Sequence, residues 1–188
     1  MNVRKAIDDD AGPIADIYNQ AINDPDYISA QDLVPVTPEN RRAWLADPRI
    51  SVFVLEAHDR QIAGWSVIVP FAFRPQFDNT AQSAVFMDRR FRSGLGGVIL
   101  FLHAVRTAYG LGYRRMINFV HANNTPSVRA TQRLFQGPTL TIKNAVFFRG
   151  RWDDELVFCR ELNASEDPVL ERYFQRFVNR GRPDPGGS

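Results

Sequence analysis

A short glycine-rich turn, Arg92–Gly97 (RSGLGG), is the stretch whose residue types most directly suggest chemistry. It lies between two apolar runs, Ala84–Met87 and Val98–Val105, which are typical of a strand end and a helix. In such a turn, backbone N–H groups at the start of the helix point at an anion, and glycine lets a phosphate approach closely. An ordinary loop has the same composition. The turn alone therefore predicts either a phosphate site or a purely structural connection.

The residues just before and within the start of this turn, Arg89-Arg90-Phe91-Arg92, form the densest basic patch of the chain. A solvated loop is the ordinary interpretation of such a run. Beside a phosphate site, the same arginines would instead screen a further phosphate group. The formal net charge of the whole chain is only +2, which is too small to indicate a nucleic-acid partner.

The composition sets wider limits on the class of protein. With 188 residues, 44% of them hydrophobic and 23% charged, the chain suits one soluble globular domain. No apolar run approaches the roughly 20 residues that a membrane span needs. The N-terminus lacks the apolar stretch of a secretory signal, so we expect a cytoplasmic protein without a membrane partner. The single cysteine, Cys159, excludes an internal disulfide and a cysteine-rich metal site, and no metal is expected.

Hydrophobic periodicity and turn signals predict an α+β protein with helices on the faces of one sheet. Asp8, Asp9 or Asp10 would cap the first helix, and Thr37 the second. The predicted strands are Val3–Ala6, Ile50–Glu56, Ile62–Pro70, Thr80–Met87, Arg115–His121, Ala145–Arg149 and Glu155–Arg160, the last two joined by a turn over Gly150–Asp154; the predicted helices are Ala11–Ile22, Thr37–Leu45, Gly97–Tyr109 and Thr125–Phe135.

The character of the chain changes beyond Leu162. Residues 168–179 have apolar side chains at helical spacing, and the last eight residues, GRPDPGGS, are expected to be disordered. We therefore predict one domain over residues 1–162, followed by a C-terminal helical extension and tail over residues 163–188.

Several segments in this order resemble the GCN5-related N-acetyltransferase (GNAT) superfamily, and within it the phosphinothricin and methionine-sulfoximine acetyltransferase group. The family's segments TxEER..W, PFxxRPxYxxT and N-x-A-S have counterparts here. The matching stretches are Ile17–Asn19, Thr37–Leu45, Pro70–Thr80 (PFAFRPQFDNT), the strand–glycine-turn–helix unit ending in Leu111–Met116, and Asn124–Ser127. The resemblance covers most of residues 1–135. It implies the GNAT fold, a mixed, mostly antiparallel central sheet with a splayed strand pair and helices on both faces.

The resemblance also implies a binding site for acetyl-CoA or another acyl-CoA. In the family the glycine turn binds the pyrophosphate, which here implies Arg92, Ser93, Gly94, Leu95, Gly96 and Gly97. Leu95 stands where glycine is usual, and would block the phosphate if its φ had to be positive. The strand backbone at Phe86, Met87 and Asp88 would pair with the pantetheine arm. Asn124, with Ser127 after it, would contact that arm or else cap the following helix.

Acetyl transfer to an amine needs a base for the ammonium proton and an acid for the leaving thiolate. The family positions for these groups, a strand Glu and a helix Tyr, are here Gln82 and Thr131. Three explanations compete. In the first, the amine is already neutral, so that positioning gives most of the rate. In the second, other groups act as the base, with His121 preferred and Asp78 or Asp88 next. In the third, catalysis is lost and only the binding fold remains. For His121 the alternative is a strand-end histidine bonded to a loop, while His58 and His103 are expected to be structural or solvated.

The acceptor side is implied by the segment Pro70–Thr80. Arg74 would suit an anionic group of the substrate, and Phe71, Phe73 and Phe77 would wall the pocket, although core packing is the alternative for the aromatic residues. We expect an N-acyltransferase that acts on the primary amine of a small, amino-acid-like molecule. A catalytically silent protein of the same fold that binds a ligand or partner is the alternative. Dimers are common in the resembling group, so a homodimer is compatible with the resemblance, although the sequence itself does not disclose the oligomeric state.

Overall fold

The computed structural model describes residues 1–27, 29–30, 32–57, 59–72, 75–92, 94–135 and 137–163. These residues form one seven-stranded sheet and four α-helices. The strands are β1 (Asn2–Lys5), β2 (Ser51–Glu56), β3 (Ile62–Pro70), β4 (Thr80–Met87), β5 (Arg115–His121), β6 (Leu140–Phe148) and β7 (Arg151–Glu161), and the helices are α1 (Ala11–Ile22), α2 (Pro38–Ala46), α3 (Gly96–Gly110) and α4 (Thr125–Phe135).

The strand order in the sheet is β1-β2-β3-β4-β5-β7-β6. All neighbouring strands run antiparallel except β4 and β5, which are parallel and are joined by α3. A parallel pair needs such a crossover connection, whereas the antiparallel pairs β2–β3 and β6–β7 are joined by short turns. The predicted α+β class and mixed, mostly antiparallel sheet are confirmed.

The core lies in two layers on either side of the sheet. One layer buries α3 and α4 against Met116, Val120 and Phe158. The other buries α1 against β2 and β3, with Trp65 completely enclosed. Val69 packs in this second layer, and its partner across β3 and β4 is Gln82, so Gln82 faces the α1 and α2 side. Side chains alternate between the two faces along a strand, so the same face carries Ile117, the partner of Gln82, and Phe119.

Three local predictions are wrong, one at the start of α1 and two at the last hairpin, where β6 begins at Leu140 and not at the predicted Ala145. The predicted cap of α1 does not form: the Asp10 carboxylate accepts from the Ile7 N–H at 2.8 Å and pairs with Arg4 at 2.7 Å, because a 3₁₀ turn over Asp8–Asp10 turns that carboxylate back towards β1. Thr37 does cap α2, accepting from the Asn40 N–H.

The second correction concerns the last hairpin. The turn between β6 and β7 is Arg149-Gly150, with φ of 49° and 80°, and does not extend to Asp154. Two-residue hairpin loops favour turns in which both central residues have positive φ, and Gly150 adopts a positive φ without strain. Strand β7 therefore begins four residues earlier than predicted, and Glu155 lies inside the strand.

The described helices include none that is long and apolar enough to cross a bilayer. The predicted C-terminal extension falls almost wholly outside the described residues, which end at 163.

Candidate functional site

The feature that shapes the candidate site is a wedge between β4 and β5. These two strands pair with each other only from Thr80–Arg115 to Gln82–Ile117. Both continue beyond that point without pairing with each other. At the narrow end the Asn118 side chain donates to the Ser83 carbonyl at 2.9 Å, and the Ser83 hydroxyl donates to Asn118 Oδ1 at 3.0 Å. The predicted splay is thus present, and its closed end is fixed by a buried side-chain bridge.

On the β4 side of the wedge, the side chains predicted near the pantetheine arm are engaged elsewhere. The Phe86 ring packs against Trp65 and Tyr18, with centroids 4.7 and 4.9 Å apart. The buried Asp88 carboxylate accepts from Arg90 and from Gln20 at 3.0 Å. Because these side chains point into the protein, the part of β4 left along the unpaired edge is its backbone.

Asp88 forms a charged hydrogen bond with Arg90 just after the end of β4. The hydrogen bond from Arg90, with further bonds from Gln20 and the Arg90 N–H, lowers the pKa of Asp88 to about 2 although burial opposes the shift. Its carboxylate therefore stabilises the fold above about pH 4, and this contribution is lost as the pH falls towards 2.

We expect Asp88→Asn to lower the free energy of unfolding at pH 7 by about 1–2 kcal/mol, since an amide retains the Arg90 N–H bond but not the charge. Urea unfolding at pH 7 and near pH 2 measures this, and the difference from the wild type should shrink at the lower pH. Glu39→Gln, which breaks an exposed pair with Arg42, is the control and should leave stability unchanged. An equal difference at both pH values would contradict the assignment.

The glycine turn brings the start of α3 against the end of β4. Leu95 has a φ of −81°, so no positive φ is required of it and the predicted obstruction does not arise. The helix begins at Gly96, whose hypothetical Cβ would lie 2.7 Å from Met87 Cε. No side chain of Leu95 caps the helix, so its first N–H groups are available to an anion.

Arg92, predicted to contact the pyrophosphate, forms an ion pair inside the protein. Its Nη1 lies 2.7 Å from the carboxylate of Asp24, just after α1, and its Nε donates to the Met87 carbonyl at 3.3 Å. Burial raises the pKa of Asp24, but the bonds from Arg92 and from the N–H groups of Asp26 and Tyr27 together lower it below its ordinary value. Arg92 thus ties the glycine turn to the segment that follows α1.

Asn124 makes a second link to the same segment. Its Oδ1 accepts from the Ser127 N–H at 3.2 Å, which is the helix-capping arrangement, and its Nδ2 donates to Ser29 Oγ at 3.1 Å. Arg149 of the hairpin turn also donates to the Pro25 carbonyl. The chain between α1 and α2 therefore reaches across to the carboxyl end of β5.

Two aromatic rings approach each other on the sheet face that also carries Gln82. Phe71 is level with Thr80, to whose carbonyl its N–H donates, and Phe119 is two residues beyond Ile117, the partner of Gln82. The two rings approach within 6.4 Å at an interplanar angle of 14°, so they meet across β4 at the level of Gln82. Phe77 packs edge-on against Phe71 at 5.7 Å. The predicted pocket residues Phe71 and Phe77 are thus brought together, with Phe71 on the same sheet face as Gln82.

His121 and Glu155 form a buried pair further along the same face. They are direct partners across β5 and β7, and His121 Nδ1 lies 2.5 Å from Glu155 Oε2. Only 8% of His121 and 6% of Glu155 is exposed. Nδ1 is sealed from solvent, and its short contact with Glu155 does not have the geometry of a hydrogen bond.

Gln82 and His121 do not converge on one point. His121 is four residues beyond Ile117, or about 13 Å along the strand at ~3.3 Å per residue. One amine therefore contacts only one of them, and Gln82 is an amide that cannot take up a proton.

Thr131 is half-buried on α4, while His103, as predicted, is structural, with its ring 4.5 Å from Phe53.

Sequence reasoning missed Glu155 and Phe119. Glu155 was expected at the start of a strand after a loop, and its pairing with His121 joins residues 34 positions apart. Alternation along a longer β7 was the only local signal for it.

Ser93, Phe73 and Arg74 lie outside the described residues, so their predicted roles stay predictions. Among the residues that are described, no group of three or more potential metal ligands comes together.

Comparisons with known proteins place the chain among acetyltransferases. It is 30% identical over 135 residues to Bacillus subtilis YwnH, whose name provisionally assigns it as a phosphinothricin acetyltransferase; the match covers 71% of this chain and 82% of that protein. It is 26% identical over 178 residues to the phosphinothricin N-acetyltransferase of Streptomyces viridochromogenes, covering 90% and 93% of the two chains. No protein-family model matches the chain.

Among solved structures, a GNAT superfamily phosphinothricin acetyltransferase from Sinorhizobium meliloti in complex with acetyl-CoA superposes with a TM-score of 0.79. The superposition covers 98% of this chain and 94% of that one, at 18% sequence identity. At this identity the likeness establishes the fold alone.

Proposed function

Because the chain belongs to the GCN5-related N-acetyltransferase superfamily, in the group of the phosphinothricin acetyltransferases, we propose that it transfers the acetyl group of acetyl-CoA to the primary amine of a small, amino-acid-like molecule. The protein is a GNAT-type, acyl-CoA-dependent N-acyltransferase. The identity of the acyl group, the acceptor and the residue roles are parts of this proposal.

The observation that carries the proposal is the wedge between β4 and β5 with the start of α3 at its open end. The edge of β4 beyond Gln82 offers backbone N–H and C=O groups that β5 does not pair, suited to the amide-containing arm of coenzyme A. The uncapped N–H groups at Gly96 and Gly97, together with the positive end of α3, suit its pyrophosphate.

Arg92 has two roles in this proposal. In the described structure its guanidinium neutralises Asp24, which fixes the loop before α3. About a third of the Arg92 side chain is exposed, so it also contributes positive charge next to the pyrophosphate position. Arg89 and Arg90 are held by backbone carbonyls and by Asp88, and they supply a positive field beside the turn without being displaced.

On the acceptor side, we assign the base to His121. Its Nε2 accepts a proton from the amine as the N–C bond to the acetyl carbon forms, and that proton then passes to the sulfur as the C–S bond breaks, so that no proton is gained or lost overall. Backbone N–H groups of the unpaired edge of β4 would stabilise the developing charge on the carbonyl oxygen. Gln82, on the same sheet face as Phe71 and Phe119, orients a water or a part of the acceptor other than its amine by hydrogen bonding.

The names of the relatives and the aromatic rings support the proposed acceptor class. The curated relatives are named for phosphinothricin, an amino acid analogue, so phosphinothricin is the first acceptor to test. The rings of Phe71, Phe77 and Phe119 add an apolar wall, which favours the neutral form of an amine by desolvating its charged form.

Two measurements test the proposal. Calorimetry with acetyl-CoA and with desulfo-CoA tests the donor site, and release of free thiol in the presence of a panel of primary amines tests transfer. We expect binding of both donors and acceptor-dependent thiol release. Failure to bind either compound would overturn the proposal, and binding without thiol release for any amine would favour the catalytically silent alternative.

A further inference from the structure

We infer that Glu155 is a positioning residue for the reaction, which holds His121 with its Nε2 towards the amine and balances the charge that His121 gains. This inference rests on the proposed function and extends it to a residue on a different strand. Glu155 itself contacts neither the donor wedge nor the acceptor, and acts through the imidazole ring.

The geometry of the pair supports this role. Both residues are more than nine-tenths buried, and the antiparallel register of β5 and β7 places them directly opposite each other. The short contact is made by Nδ1 of His121, which is buried against the carboxylate, so we assign the ring proton to Nδ1. With the proton on Nδ1, the lone pair of Nε2 is left for the substrate.

Charge gives the second argument. A buried carboxylate is strongly unfavourable unless it has a positive or proton-donating partner. Among the ion pairs of the described residues, Glu155 has none with a lysine or arginine, and His121 is the partner it has. The carboxylate therefore needs the imidazole N–H, and it favours the imidazolium that forms when Nε2 takes up a proton.

The surroundings of the pair leave Glu155 to act on His121 alone. Asp153, two residues before it on the same face, accepts from the Asn123 N–H at 3.0 Å. Asp154 is bound by Lys143 and by the Asn144 N–H on the neighbouring strand β6. Both other carboxylates of this stretch are therefore committed to loop and hairpin contacts.

A double-mutant cycle tests the inference. Glu155→Gln retains an oxygen that accepts from Nδ1 but removes the charge, and His121→Asn retains a donor for Glu155 but removes the base. We expect Glu155→Gln to lower kcat about 10- to 100-fold in the wild-type protein, with the KM for acetyl-CoA within about twofold. In the His121→Asn background the same change should alter kcat less than about twofold, because Glu155 then has no base to act on.

A spectroscopic measurement separates this inference from the proposed function. Nitrogen NMR of ¹⁵N-histidine-labelled protein should show the Nδ1–H form of His121 in the wild type and a mixture of forms in Glu155→Gln. This readout needs neither a donor nor an acceptor. Absence of turnover with every amine would overturn the proposed function while the NMR signal still reports on the pair.

Three results would overturn the inference itself. The first is an unchanged kcat for Glu155→Gln in the wild-type protein. The second is a fall in kcat by the same factor in both backgrounds, and the third is a wild-type His121 with its proton on Nε2. Thermal unfolding of each variant accompanies the kinetics, and Glu155→Asp, which keeps the charge on a shorter side chain, should recover part of the lost kcat if the protein is folded.

Discussion

His121→Asn is expected to lower kcat for amine acetylation about 10²- to 10⁴-fold, the usual contribution of a positioned base. Asparagine is the informative replacement because its Nδ2 can still donate to Glu155, so the buried carboxylate keeps a partner and the fold is retained. Alanine would leave that carboxylate buried without one, and would mix loss of stability with loss of catalysis. Thiol release at saturating acetyl-CoA measures the change.

The matched control is His103→Gln. His103 is half-buried on α3, where burial and then the nearby Arg106 lower its pKa, and its ring packs on Phe53. We expect this change to lower stability slightly and to leave kcat within about twofold of the wild type. A kcat for His121→Asn equal to that of His103→Gln would remove His121 as the base and return attention to Gln82 and to amines that are already neutral.

The second large effect is structural. Gly64→Ala should lower the free energy of unfolding by about 3 kcal/mol, or roughly 6–12 °C in Tm. Gly64 lies opposite Met87, and a Cβ there would come within 2.7 Å of the Phe86 carbonyl oxygen and 2.5 Å of Met87 Sδ. Backbone cannot give way as a flexible side chain does, so β3 and β4 must separate locally.

The same substitution should weaken acetyl-CoA binding, because Phe86 and Met87 belong to the stretch of β4 proposed to hold the donor. Gly110→Ala is the control: its Cβ would meet no atom within 4 Å at the end of α3, and we expect little change in Tm or a small gain. Calorimetric scans and acetyl-CoA titrations of both variants check this. Equal Tm values for the two would contradict the close packing at Gly64.

Much of the fold follows from local sequence signals. The bounds of α1, β3, β4, β5 and α4 match the predicted ranges, because periodic apolar residues and turn signals mark their ends. The end of α3 was also predictable: Gly112 has a φ of 98° and its N–H bonds back to the Tyr109 carbonyl.

The last hairpin shows where local signals fail. Arg149 adopts a φ of 49°, which is uncommon for a residue with a side chain, and the acidic run after it suggested a loop. Pairing with β6 keeps Arg151–Asp153 in a strand, and β7 then continues alongside β5 from Glu155 onward. The early turn is what brings Glu155 level with His121, so missing the turn also concealed the pair.

The candidate site was predictable only in part, for the same reason. The wedge and glycine turn are formed by consecutive elements, from β4 through α3 to β5, and the resemblance named them. The ring pair over Gln82 and the ion pair of Arg92 with Asp24 depend on register and on contacts between residues far apart in sequence. Spacing along the chain does not contain that information.

The position of β7 between β5 and β6 has a consequence for folding. Strand β6 precedes β7 in the chain but lies outside it, so the β6–β7 hairpin joins the sheet through its second strand. The hairpin is a local structure that closes early, whereas its pairing with β5 spans the whole of α4. His121 and Glu155 therefore stay hydrated, as ordinary solvent-exposed groups, until the hairpin docks, and the unfavourable burial of the carboxylate coincides with the arrival of its partner.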